Sequence, residues 1–245
     1  MNMADGEINH LSDRPGHHQR VSARAADLIR EWHEAPNRTT EAESGSGQVV
    51  TYLGNPLVVP PEVHPVTDMS HLLGEAVLAE VQEGERVLDM GTGSGVNAIL
   101  AASTGAYVSA VDINPHAVDV ARQNAERSGL ADRIEVHRSD LFDDVEGQFD
   151  VIVYNPPFRW FTRYNVFDAI KSDENYRAVR SFLRNARRYL TRSGRMLIFL
   201  GNAGDAECLR QLAEEGSFRT ETAAQEGLVK DGLRDDYFAF RLTPV

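Results

Sequence analysis

Cysteine, lysine and long apolar runs are what this 245-residue sequence has least of. Its one cysteine, Cys208, excludes a disulfide within the chain and fits a reducing compartment. No run of 18 or more apolar residues occurs, which argues against a membrane-spanning helix. The opening stretch MNMADGEINHLSDRPGHHQR holds no apolar segment of the signal-peptide kind. Together these absences predict a cytoplasmic protein with no membrane partner. Basic residues are outnumbered, 25 against 37 acidic, and only Lys171 and Lys230 among them are lysine, for a formal net charge of −12. A protein that grips a phosphate backbone needs a basic face. Arg177, Arg180, Arg184, Arg187 and Arg188 lie close in sequence, but at helical spacing they read as a solvated face. Nucleic acid is thus the less favoured partner, and a small molecule or a protein or peptide the favoured one. His10, His17 and His18 have no cysteine or carboxylate framework around them, so no metal site is expected.

With 42% hydrophobic residues the chain can build one sizeable core. Residues 1–48 form a polar N-terminal extension with one candidate amphipathic helix, VSARAADLIREWHEA, carrying Ala26, Leu28, Ile29 and Trp32. PNRTTEAESGSG then reads as a linker. Residues 49–245 read as one domain, with a hairpin and a leading helix over 49–82 and the core over 83–245. The hairpin turns around Gly54 and Asn55, and Thr67 or Asp68 is the expected cap of the helix through MSHLLGEAVLAEV.

Beyond Glu85 strand and helix alternate. RVLDM leads to a helix from Val96, YVSAVDI to a helix from Pro115, and RIEVHR to a loop. FDVIVY leads to a longer loop, a helix over Asn175–Leu190 follows, and GRMLIFLG precedes a helix over Asp205–Ala213. Asn114 is placed to cap the Pro115 helix, Pro115 to preset its first φ, and Gly129 to end it. Strands separated by helices imply a parallel sheet covered on both faces. SFRTETAA and DDYFAFRL have no helix between them, so they are expected to pair as an antiparallel edge.

VLDMGTGSGVNAIL places Asp89, Gly91, Thr92, Gly93 and Gly95 at a strand-to-helix turn. Glycines there let the backbone approach a ligand beside the positive end of a helix. A dinucleotide fingerprint would put its third glycine at Val96; here it comes one residue early, and no GK[ST] phosphate loop is present. A dehydrogenase or a kinase is therefore disfavoured. The next strand ends in AVDIN, where Asp112 can accept from both hydroxyls of a ribose and Ile113 can pack on an adenine face. In SDLFDD, Asp140 can accept from the exocyclic amine of adenine.

VLDMGTGSG, VDINPHAV, SDLF and YNPPF, in that order and spacing, resemble the class I S-adenosylmethionine-dependent methyltransferases from about Gly54 onward. The resemblance implies an α/β, Rossmann-like seven-stranded sheet, mostly parallel with an antiparallel last strand and helices on both faces. It also implies S-adenosyl-L-methionine as cofactor. Asp89 and the Gly91–Gly95 loop would hold its methionine end, Asp112 the ribose and Asp140 the adenine, with Ile113 and Leu141 also at the cofactor.

VIVYNPPF ends a buried strand on an amide and two prolines, at the edge where open α/β sheets bind ligands. An amide or aryl amine nitrogen is a poor nucleophile, because its lone pair is delocalised. The side-chain oxygen of Asn155 and the carbonyl of Pro156 can each accept one N–H of such an NH₂ group and turn its lone pair toward a methyl donor. The pattern resembles the N-methyltransferases that act on planar NH₂ groups: release-factor glutamine, ribosomal guanine and amino-group DNA methyltransferases. YLGNPLVVPPEVHPVTDMSHLL is similar to the corresponding hairpin of the release-factor enzymes, although Val66 stands where that family usually has arginine. Asn155 and Pro156 are the candidate catalytic residues, with Asn155 also beside the cofactor. Pro157, Phe158, Trp160, Phe161 and Tyr164 are candidates for substrate binding, in an aromatic loop of about 17 residues that is long enough for a lid. Arg159 and Arg163 can engage a carboxylate or phosphate. The reading is transfer of a methyl group to a nitrogen of a small molecule or protein side chain. The alternatives are a base amine of RNA or DNA, an aliphatic amine or guanidine deprotonated by Asp68, His71 or Glu174, and a cofactor-binding subunit without catalysis.

Overall fold

The computed structural model describes residues 48–52, 55–66, 68–157, 176–201, 206–230 and 233–245. The helix and linker expected before Gln48, and the aromatic stretch after Pro157, lie outside the described residues. Strands β1 (Gln48–Tyr52) and β2 (Asn55–Val59) form the expected antiparallel hairpin, with Tyr52 opposite Asn55. A 3₁₀ turn over Asp68–Ser70 then runs straight into α1 (His71–Glu80), so the α-helix begins later than a cap at Thr67 or Asp68 would place it.

The core follows as β3 (Arg86–Met90), α2 (Val96–Ser103), β4 (Tyr107–Asp112), α3 (Pro115–Arg127), β5 (Ile134–Arg138) and β6 (Phe149–Tyr154). After these come α4 (Arg177–Ala186), β7 (Leu190–Gly201), α5 (Ala206–Glu215), β8 (Phe218–Lys230) and β9 (Leu233–Pro244). Helix α3 has the local logic its sequence predicts. The Asn114 side chain accepts the His116 amide at 3.0 Å, and Pro115 occupies the first turn. Gly129 stands at φ +68°, while its amide and that of Leu130 close onto Glu126 and Ala125, a Schellman ending.

The seven-stranded sheet has the order β5-β4-β3-β6-β7-β9-β8. Neighbours from β5 to β7 are parallel, and β9 is antiparallel to both β7 and β8. The last two strands do pair at one edge, as expected, but the final strand is inserted inside and β8 takes the border. They are also far longer than SFRTETAA and DDYFAFRL. Their ladder runs on to Lys230 opposite Leu233, past Tyr237 opposite Gly201, where β7 gives out. Strand β7 starts at Leu190 rather than Gly194, because Leu190 is buried and pairs with Phe149 before the register shifts to Arg195 opposite Val151. The polar residues 191–193 in that bulged stretch hide the strand from any alternation test.

Alternation along each strand divides the core in two. One face carries Val87, Ala110, Val151 and Leu197 under α1, α2, α3 and the β1–β2 hairpin. The other carries Leu88, Ile152, Met196 and Phe240 under α4 and α5. The arginines of α4 fall largely on its outer side, with Arg177, Arg184, Arg187 and Arg188 exposed. At the amino edge of the sheet, Arg195 binds Glu85 at 2.9 Å, Glu80 at 3.1 Å and the Glu80 carbonyl, pinning the end of α1. Among the described residues no helix is long and apolar enough to cross a membrane.

The chain leaves β3 toward β4 and β5, then returns to lay β6 on the other side of β3. The strand order therefore reverses between β3 and β6, and a crevice opens at their carboxyl ends. The helix that starts there depends on one glycine. Gly95 sits at φ +83°, and a Cβ on it would stand 3.1 Å from Cα and Cβ of Ala121 on α3. Gly95→Ala is expected to cost about 1–3 kcal/mol through backbone strain and overpacking together. Gly129→Ala, at φ +68° in open space, should cost only about 1 kcal/mol. Urea unfolding of both variants measures the difference.

Candidate functional site

Three loops meet at the crevice, and a buried carboxylate organises the first. Asp89, 1% exposed on β3, accepts the Thr92 hydroxyl at 2.6 Å and the Ala98 amide at 3.1 Å, both on Oδ2. It thereby caps the first turn of α2 from the preceding strand, where negative charge meets the positive end of the helix dipole. Burial pushes its carboxyl up to about 7, against the two hydrogen bonds that lower it and with help from the nearby charge of Asp112. The turn between runs through Gly91, Gly93 and Gly95, all at positive φ. The Thr92 amide donates to the Val111 carbonyl at 2.9 Å, which ties this turn to the end of β4.

Asp112 closes the second loop. Its Oδ2 accepts the Gly93 amide and its Oδ1 the Asn114 amide, each at 2.9 Å. Burial raises its carboxyl above the ordinary value, while the amides of Asn114, Gly93 and Ile113 hold it down. Each oxygen carries one of these two bonds, so lone pairs remain on both for a ligand's hydroxyls. Ile113 beside it is 54% exposed, unusual for a large aliphatic side chain at a strand end. Ser139 at the end of β5 donates its amide to the Asp112 carbonyl at 3.1 Å and brings in the third loop. There Asp140 is exposed and Leu141 is half-buried at φ +50°.

Across the crevice, β6 ends in Asn155, Pro156 and Pro157. Asn155 and Pro157 are half-buried and Pro156 is buried. In register, Met90 lies opposite Tyr154, so Gly91 and Asn155 follow neighbouring strand ends. Tyr154 is buried, its ring 4.5 Å from that of Phe182 on α4, and its Cε2 lies 3.7 Å from where a Cβ on Gly91 would stand. The structure therefore brings Asp89, Gly91, Thr92, Gly93, Gly95, Asp112, Ile113, Asp140, Leu141, Asn155 and Pro156 to one edge. Phe158, Trp160, Phe161 and Tyr164 lie outside the described residues. Thr92 differs from the simple expectation: its side chain is 4% exposed and its hydroxyl is engaged with Asp89, so it braces the turn from within. Among the described residues no group of three His, Cys, Asp or Glu is placed to hold a metal ion.

Sequence reasoning missed Asn124. It is fully buried on α3, where its amide donates to the carbonyls of Ser94 at 2.8 Å and Val58 at 2.9 Å and accepts the Val58 amide at 3.0 Å. One side chain thus joins the glycine turn to the β1–β2 hairpin. The signal was present, since a polar residue falls in the stripe of Ala117, Ala121 and Ala125 that α3 buries. The chain from that hairpin passes over the site, with the Glu62 carbonyl accepting the Asn114 side-chain amide at 2.9 Å and Val63 buried above Gly93.

The raised value of Asp89 has a testable consequence. The unfolded carboxyl ionises near its ordinary 3.8, whereas the folded one keeps its proton until about 7. Its contribution to stability is thus complete below about pH 4 and lost as pH rises to about 7. Relative to Asp89→Asn, the wild-type protein is expected to lose stability steadily over that window and then level off. Urea unfolding at a series of pH values measures it, and a constant difference would contradict the assignment.

The described geometry agrees with what known proteins show. The family model of the methyltransferase small domain matches residues 66–225. A ribosomal protein L11 methyltransferase of Thermotoga neapolitana is 38% identical over 117 residues, which are 47% of this chain and 42% of that one. A protein of Methanocaldococcus jannaschii, provisionally named a protein N5-glutamine methyltransferase, is 39% identical over 111 residues, 45% of this chain and 54% of that one. The matches therefore span only about half the length of these relatives. A crystal structure of the ribosomal protein L11 methylase of Lactobacillus delbrueckii subsp. bulgaricus superposes with a TM-score of 0.56 at 22% identity, over 74% of this chain and 82% of that one, and shows the same fold. With its family model covering most of the chain and every turn of the crevice in place, this chain belongs to the methyltransferase small domain family.

Proposed function

We propose that the protein transfers a methyl group from S-adenosyl-L-methionine to a planar NH₂ nitrogen, with a protein side-chain amide as the favoured acceptor. The observation that carries this reading is the Asn155–Pro156–Pro157 turn at the carboxyl end of β6, one strand from the glycine turn across the point where the strand order reverses. The cleft residues fit the cofactor. Asp112 retains lone pairs for two hydroxyls, and Ile113 offers an exposed apolar face for a purine. Asp89 is a buried carboxylate that an ammonium group would stabilise in its charged form. Bound there, S-adenosyl-L-methionine supplies an electrophilic sulfonium methyl.

The chain's own residues do the rest. The Asn155 side-chain oxygen and the Pro156 carbonyl accept the two N–H bonds of the acceptor, fixing its nitrogen and freeing its lone pair. Two prolines restrict the turn, so little order is lost when the acceptor binds. No strong base is required, because the proton leaves after the nitrogen has become positive. An aliphatic amine would need one before attack. Of the groups weighed for that, His71 is held by Glu226 at 2.9 Å, and the side chains of Asp68 and Glu174 lie outside the described residues. The names of the relatives, a ribosomal protein L11 methyltransferase and a protein N5-glutamine methyltransferase, support a protein acceptor over a base amine. So does the net charge of −12. A cytoplasmic location goes with this reading.

Asn155→Ala should keep the affinity for S-adenosylhomocysteine, read by calorimetry, while slowing single-turnover transfer by more than about tenfold. An unchanged transfer rate would remove Asn155 from the mechanism. Because cation binding needs the ionised Asp89, the KM for the cofactor should fall as pH rises through about 7, with kcat nearly level. A kcat that climbs steeply with pH would instead favour an aliphatic amine.

A further inference from the structure

The loop after β5 contains a buried hydroxyl that neither the fold nor the proposed chemistry accounts for. Ser139 is 2% exposed. Its Oγ donates to the Leu141 carbonyl at 2.8 Å and accepts the Asp144 amide at 3.0 Å, spanning the loop from within. The Asp143 amide closes the same loop onto the Asp140 carbonyl at 3.2 Å. Leu141 between these bonds stands at φ +50°, a conformation that a residue with a branched, apolar side chain adopts only when its surroundings impose it. Its side chain packs against the core face under α4, which anchors it from below. Among the described residues neither the Asp140 carboxylate nor the Leu141 amide has a hydrogen-bond partner. The loop thus offers an acceptor and a donor one residue apart, on a backbone held in a strained form.

We propose that Ser139 is a positioning residue for base recognition: its hydroxyl holds Leu141 in the left-handed conformation and so fixes the Asp140–Leu141 pair as a reader of adenine. This rests on the reading of the cleft as an S-adenosyl-L-methionine site. An acceptor beside a donor complements the amine and N1 of adenine. Hypoxanthine reverses both groups, presenting a carbonyl oxygen and an N1–H, and leaves both protein groups opposed by like partners. The same serine ties the base reader to the ribose site, since its amide donates to the Asp112 carbonyl. Removing its hydroxyl leaves that backbone bond in place while releasing the Leu141 carbonyl and the Asp144 amide.

Calorimetric titration of the full chain with S-adenosylhomocysteine and with S-inosylhomocysteine tests the proposal. The wild-type protein should prefer the adenine compound by at least about a hundredfold, as polar sites do when a ligand mismatches their hydrogen bonds. In Ser139→Ala the preference should shrink by about tenfold, while the melting temperature stays within a few degrees. Equal preference in both proteins would overturn the proposal, as would a loss of affinity that is the same for both compounds, which a merely structural serine would give. If Ser139→Ala does not fold, the same ratio is measured in Ser139→Cys, whose thiol is a weak donor of similar shape. A wild-type protein that binds neither compound would instead refute the cofactor reading itself.

Discussion

A carboxylate that has been taken out of water holds this molecule's working edge together. Asp89 lies inside the sheet-helix interface, and its Oδ2 gathers the Thr92 hydroxyl and the Ala98 amide. Through these bonds it ties the strand before the glycine turn to the turn itself and to the helix after it. Its neighbour Asp112 extends the same device to the next strand by accepting the Gly93 amide. Two acids therefore define the turn through three backbone amides and one hydroxyl. The cost of burying Asp89 appears as a carboxyl that clings to its proton, and this makes the site responsive to any cation that enters it.

Around that edge the protein separates recognition from support. The amino ends of the strands are occupied by a charged knot of Arg195, Glu80 and Glu85, which fixes the end of α1 at the edge opposite the glycine turn. The carboxyl ends carry loops whose shapes are dictated by hydrogen bonds to main-chain groups. Asn124 sits between the two regimes, because it fastens a surface hairpin to the glycine turn and so couples the hairpin's placement to the ligand loop. The floor beside Asn155 is of this kind, with Pro156 buried and Tyr154 wedged between Gly91 and Phe182.

Much of this was legible in the residues. The glycine turn, the capped helix at Pro115, the polar end of β6 and the alternation of strand and helix all rest on local rules, and local rules survive folding. Features that depend on partners distant in sequence did not show. The true start of β7 at Leu190 follows from pairing with Phe149, across a bulge filled by polar residues. The lengths of β8 and β9 come from pairing with each other beyond the reach of β7. The roles of Ser139 and Asn124 were hidden for a further reason: each bonds to backbone, so even the polar residue in the alanine stripe of α3 does not name its partners.

The place of β9 between β7 and β8 has a consequence for how the chain is made. Synthesis delivers β7 and then β8 before the strand that must lie between them. Until β9 emerges, β7 presents an unsheltered edge bearing Met196, Leu197, Ile198 and Phe199, and β8 has no seat on the sheet. An open apolar edge of that kind pairs readily with a neighbouring chain. Completion of the sheet is therefore a late, long-range step, and the nascent protein depends on shelter during that interval more than the finished one does.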